Sequence, residues 1–314
     1  MKSEIIKVIA RKIIRNIVIL LITLFLLIAV TGIPVNFDIF SPEGKYTPNM
    51  GMNMILENIK ANFSVFWSGE AFNVMIQGKT VGTLLIETAK KSSSILFCGA
   101  ALAVIIGVPK GIIDSRKNNR YGTIKLLQSL IPLSVPDILT ITIVQLGGLY
   151  LYNNQISIFG LGPFPALGDG TFGHAIYPII SISILPAAYI SRITANIIEE
   201  NFTKPYILAA RGKGCSQFQI IKSHMMKSIM YGVLSGFPTV IGIMFSSLII
   251  VEWLFYFRGM GYYLIYFYTM ELIPPYEAGV AFTSFIVVLA LFYYLIFMMF
   301  NALKDIILSN KKSC

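Results

Sequence analysis

The stretch Pro205–Lys227, PYILAARGKGCSQFQIIKSHMMK, decides how this chain is read. It is polar and basic, and it lies between two long apolar runs. Of the 314 residues, 55% are hydrophobic and only 13% are charged, with a mean hydropathy of +0.73. A soluble domain carries about 25% charged residues. In so apolar a chain this segment has to sit in water, on the side of a membrane where Lys and Arg collect. Ala209, Ala210 and Gly214 are small enough to let another surface approach the backbone, and Arg211, Lys213, Lys222 and Lys227 surround them with charge. The segment reads as a docking element without catalytic groups.

Working outward, apolar runs near 17–33, 94–113, 126–152, 175–198, 231–255 and 278–303 approach or exceed the ~20 residues that span a bilayer as a helix. The fold class expected is an all-α polytopic membrane protein with six transmembrane helices. The expected organisation is a cytoplasmic N-terminus and first span over 1–33, an extracellular segment over 34–93, a five-helix core over 94–303 with a cytoplasmic loop at 199–230, and a cytoplasmic tail over 304–314. The first apolar run is longer than a signal-peptide core and no A-x-A site follows it, so an uncleaved span is expected. Of the 25 Lys and Arg, all but Lys45, Lys60, Lys79, Lys90, Lys91 and Arg258 fall on one side, which places both termini in the cytoplasm. The net charge of +10 is then a property of inner loops, and no nucleic acid is expected. Pro132 and Pro136 predict a kink or break in the third span.

Several local signals fail. Gln77-Gly78-Lys79-Thr80 resembles the end of a phosphate-binding loop, but position 73, where that pattern needs Gly, is Asn73. His174 and His224 are isolated and have no Cys partner at ligand spacing, so no metal is expected. Cys98, Cys215 and Cys314 are too scattered for a disulfide framework. Polar residues within spans are costly and demand a reason. Asp137 and Gln145 lie two turns apart and share a face if the helix continues past Pro136. They either face a pore, or Asp137 caps a break made by the prolines. Glu252, beside Trp253, is a pore-lining candidate or an interfacial anchor, and Arg192 reads as a snorkelling residue at the inner end of span four.

The docking stretch resembles the cytoplasmic motif of ABC importer permeases, whose peptide-importer form runs Y-V-R-T-A-R-A-K-G-L and then H-A-L-R-N. Here it reads Tyr206-Ile207-Leu208-Ala209-Ala210-Arg211-Gly212-Lys213-Gly214-Cys215, then His224-Met225-Met226-Lys227. Gly107-Val108-Pro109-Lys110-Gly111 is similar to G-I-P-L-G, Ser134-Val135-Pro136 to S-I-P, and Leu185-Pro186-Ala187-Ala188-Tyr189-Ile190-Ser191-Arg192 to L-P-x-A-Y-x-A-R. Val251-Glu252 with Arg258-Gly259-Met260-Gly261 is similar to V-E…P-G-L-G. These motifs occur in family order from about 80 to 261. The chain departs from the pattern in lacking the acidic G-D-P segment after span one, in carrying Gly232 where proline is common, and in carrying Arg258 for the proline before Gly-x-Gly.

The resemblance is to the first permease subunit of dipeptide, oligopeptide and nickel importers, and it implies a type I ABC importer permease in a bacterial cell membrane. It implies no cofactor on this chain, with ATP and Mg on separate subunits. It also implies a second homologous permease, two ABC ATPase subunits, an extracellular solute-binding protein and membrane lipid as partners. Tyr206, Ala209, Ala210, Arg211, Lys213, Gly214, His224 and Lys227 are then the expected ATPase-coupling residues, and the chain itself is not expected to be an enzyme. Peptides are the expected substrate, with nickel or a metal chelate as the alternative. A secondary transporter would need paired intramembrane charges and an internal repeat, and neither is found. A non-transporting scaffold is the remaining reading.

Overall fold

The computed structural model describes residues 2–31, 52–115, 134–157, 160, 162–269 and 275–311. They are almost entirely helical: α1 Lys2–Thr31, α2 Met52–Ser68, α3 Val81–Asp114, α4 Asp137–Asn153, α5 Ile176–Asn201, α6 Pro205–Gly212, α7 Gln217–Ile220, α8 Met226–Leu254, α9 Met260–Thr269 and α10 Pro275–Lys311. One π-helical turn, Ile221–Met225, joins α7 to α8. The only strands among the described residues are β1 Met75–Ile76 and β2 Lys79–Thr80.

Five stretches among the described residues are long and apolar enough to cross a membrane: Ile14–Thr31, Val81–Asp114, Phe172–Asn201, Gln217–Leu254 and Glu277–Lys304. The third span carries the break expected at its prolines. Its start, 126–133, lies outside the described residues, and the chain breaks at Val135-Pro136 before α4 begins at Asp137. Proline disfavours the helical region for the residue before it, which accounts for the break. The 17 residues of α4 extend about 25 Å, short of the ~30 Å hydrocarbon core. The boundary at 93/94 falls inside α3, whose 34 residues form one helix of about 51 Å.

The chain divides into two compact units. The first comprises Met1–Thr88 and Tyr263–Tyr294. In it α1 packs on α2 through Phe25 and Phe63, with ring centroids 4.9 Å apart. The phosphate-loop look-alike is the turn between β1 and β2: Gln77 and Gly78 have φ of 50° and 79°, with Met75 opposite Thr80 and Ile76 opposite Lys79. Two positive φ angles make a two-residue primed turn, which explains the Gln-Gly pair with no role in phosphate binding.

The second unit comprises Ala89–Tyr262 and Leu295–Cys314 and is organised around α5. One side of α5 meets α3 with almost no spacer. A Cβ on Gly107 would lie 2.7 Å from the Ala187 carbonyl oxygen, and one on Gly111 would lie 2.5 Å from that of Ser191. The other side meets α8, where Gly232 and Gly236 receive Ile197 and Ile193. Small residues are how membrane helices gain contact where lipid tails compete with side chains for apolar burial. Gly232, the departure from the proline pattern, therefore makes room for Ile197.

Candidate docking surface

The docking stretch folds as a short helix, a tight reversal and a capped second helix. Lys204 is extended, with φ −76° and ψ 141°, and Pro205 opens α6 at a position whose N–H needs no partner. At the other end Gly214 adopts φ +82°. Its N–H donates to Arg211 O (2.9 Å), and Cys215 N–H donates to Ala210 O (3.2 Å). This is a Schellman reversal, in which the left-handed residue has to lack a Cβ. Ser216 and Gln219 then form a reciprocal capping box that starts α7.

The exposed face carries Tyr206, Leu208, Ala209, Arg211, Lys213, Gly214, Phe218, Lys222, His224 and Lys227. Leu208 and Phe218 are 54% and 69% exposed, a large apolar investment for a segment rich in charge. A cleft beside it is lined by Ile112, Ser115, Phe202, Gln217, Phe218 and Ile221. Ala210 corrects the sequence reading. It is only 7% exposed and faces inward with Ile207, so it packs α6 down. Gly214 is exposed, but its φ already accounts for its identity without any partner at close approach.

Two side chains missed in the sequence hold α6 to α5. Tyr206 Oη donates to Asn201 Oδ1 (2.9 Å), and Asn201 Nδ2 donates to Ile197 O (2.7 Å). The Arg211 guanidinium lies over the Phe202 ring, 4.5 Å from its centroid. Nothing in the local sequence signals either contact.

The pore candidates separate. Glu252 is 0% exposed, so it has no surface to offer a translocation path. Its carboxylate accepts from Ser92 Oγ (2.6 Å) and from the N–H groups of Gly261 (2.6 Å) and Tyr262 (3.3 Å), while Ser92 Oγ accepts from Met260 N–H (2.8 Å). Glu252 thus satisfies the unpaired donors at the start of α9. A Cβ on Gly259 would lie 2.2 Å from its Oε1, which explains the Gly-x-Gly spacing. Asp137, half-buried, opens α4 and accepts from Ser247 Oγ on α8 (2.6 Å). Gln145 Nε2 donates to Leu254 O at the end of α8. The two share a face as expected, and the contacts made by that face are with α8.

Arg258, the second departure, also has a local account. It donates to Asp169 through Nε (3.1 Å) and Nη2 (2.7 Å), and Lys91 donates to the same carboxylate. Gly168 N–H donates to Phe255 O (2.8 Å), so the loop before α5 is held against the end of α8. Burial alone would raise the Asp169 carboxyl. The hydrogen bonds and charges of Arg258 and Lys91 outweigh it and hold the group below its ordinary value of 3.8.

With this geometry in place, comparison with known proteins is informative. Residues 103–307 match the family described as binding-protein-dependent transport system inner membrane component. The dipeptide transport system permease protein DppB of Bacillus subtilis is 26% identical over 192 residues, covering 61% of this chain and 59% of its own length. DppB of Lactococcus lactis is 29% identical over 167 residues, covering 53% and 51%. The glutathione transport system permease protein GsiC of Escherichia coli K12 is 26% identical over 184 residues, covering 57% and 56%. The matched region thus spans under two thirds of the length of these relatives. A structure of the MetNI methionine ABC transporter in inward-facing conformations superposes with a TM-score of 0.54 at 18% identity, covering 74% of this chain and 99% of that one, and it supports the fold.

Proposed function

The chain belongs to the family of binding-protein-dependent transport system inner membrane components, and from that premise we propose that it is a permease subunit of an ATP-driven peptide importer. It forms half of the path through the membrane together with a second, homologous permease. Two separate ATPase subunits, carrying ATP and Mg, supply the energy, and an extracellular binding protein delivers the substrate. Both termini lie in the cytoplasm of a bacterial cell, a reading that the distribution of Lys and Arg supports. The peptide class of substrate rests on the dipeptide and glutathione relatives.

One observation carries the coupling role: α6 and α7 interrupt two spans with an exposed, basic face from which Leu208 and Phe218 project. Exposed apolar side chains rimmed by charge are the makings of a protein contact. Ala209, Arg211, Lys213, His224 and Lys227 complete that face, and Ala210 supports it from below. Asp137 and Gln145 remain the candidates for the path, at the α4–α8 junction.

The test is retention of ATPase subunits during purification. Leu208→Asp with Phe218→Asp is expected to release them while the permease stays folded, because both side chains are exposed. Full retention with normal uptake of a labelled dipeptide would remove the docking role.

A further inference from the structure

We infer that α6 and α5 move as one rigid body, locked by two side-chain braces, and that Asn201 and Phe202 are the positioning residues that pass displacement of the docking face to span four. The inference rests on the docking role proposed above and identifies where that motion is transmitted.

The joint between the helices is only Phe202, Thr203 and Lys204. It is closed at both ends of α6. At the first turn, Tyr206 Oη donates to Asn201, a residue only 3% exposed, whose Nδ2 donates in turn to Ile197 O. At the last turn, Arg211 lies over Phe202, which is itself buried. Between them Ile207 is fully buried and Ala210 nearly so. Backbone bonds continue across the joint, from Phe202 N–H to Ile198 O, Lys204 N–H to Asn201 O, and Ile207 N–H to Lys204 O, each at 3.0 Å. Two braces on opposite ends of an eight-residue helix remove both its tilt and its roll relative to α5.

The connection on the other side of α6 is built differently. It passes through the left-handed Gly214, a fresh helix start at Ser216 and the π turn Ile221–Met225 before α8 begins. A π turn breaks the regular i→i−4 hydrogen-bond ladder, and helix kinks concentrate at such turns. A push on α6 is therefore transmitted stiffly into α5 and absorbed before α8.

The test uses the purified complex with its ATPase subunits and a pair of spin labels, at exposed Ile180 near the far end of α5 and at Gly212, where a side chain meets open space. The twenty-one residues from 180 to 201 place the labels roughly 30 Å apart, within range of pulsed dipolar measurement. With intact braces, the distance distribution is expected to be the same without nucleotide and with ATP and vanadate. In Tyr206→Phe combined with Arg211→Gln, both changes at exposed side chains, the distribution is expected to broaden and to shift between the two conditions. The single variant Tyr206→Phe is expected to show part of that shift. A merely structural role would alter thermal stability without making the distance depend on nucleotide. Retained ATPase subunits with an unmoved distribution in the double variant, or a wild-type distance that already depends on nucleotide, overturns the brace alone. A chain that binds no ATPase subunit overturns the docking role and the brace with it.

Discussion

The two ends of α8 solve opposite problems. Before α8 begins, α6 and α7 leave Leu208, Phe218 and a set of basic side chains exposed, and neutral contacts at Tyr206–Asn201 and a cation over Phe202 hold them in place. At and around its other end, two carboxylates are buried. Glu252 is enclosed by Ser92 and the start of α9, and Asp169 by Lys91 and Arg258. Buried carboxylates have their partners within the chain, so substitutions there should act on folding. Exposed apolar groups lack such partners, so substitutions there should act on assembly.

The largest effect is expected at Glu252. Glu252→Leu strands the N–H groups of Gly261 and Tyr262 and the Ser92 hydroxyl, at a cost of about 3 kcal/mol, and thermal unfolding of the detergent-solubilised protein would show it. Gly259→Ala should approach the same loss, because its Cβ must displace the carboxylate. A Glu252→Leu protein with unchanged melting and lost uptake would break the contrast and return Glu252 to the path.

A smaller effect is expected from Asp169. Its folded pKa is depressed, so the stability it adds is present above the ordinary carboxylate range and is lost as pH falls below 3.8 through the folded value. Wild-type melting should decline in that window more steeply than that of Asp169→Asn. The difference should not exceed about 1 kcal/mol, because Arg258 and Lys91 are solvated. Parallel acid profiles would show that the ion cluster contributes nothing.

The smallest effect on stability is expected from Asp137→Asn, since an amide oxygen can still accept from Ser247. Assembly should stay unchanged. Dipeptide uptake then decides its role: a large loss assigns the charge to the path, and unchanged uptake makes Asp137 a structural residue.

What was legible in the sequence followed from local pattern. Apolar runs showed the spans, Pro136 the break before α4, and the small and basic residues of Pro205–Lys227 the exposed element. What was not legible needed partners far away in the chain. Ser92 and Glu252 are 160 residues apart, and Asp169 and Arg258 are 89 apart. No local spacing reveals such pairs, so Glu252 read as a pore residue or an interfacial anchor and Arg258 as an unexplained substitution. Ala210 was misplaced for another reason: an eight-residue helix has a buried side as well as an exposed one, and smallness alone does not tell which side a residue occupies. On the opposite loop, Gly168 has a φ of +106° and would bring an added Cβ within 3.1 Å of His174, which disfavours any side chain there, whereas Phe172 nearby is well exposed.

The central claim is that the exposed face of α6 and α7 contacts an ATPase subunit in the cytoplasm. Photo-crosslinking from a benzophenone side chain placed at Leu208, with one at Phe172 as its counterpart, tests it most directly. The account predicts an adduct with the ATPase subunit from position 208 and none from position 172. An adduct from 172, or none from 208 in a complex that still hydrolyses ATP and transports, would contradict it.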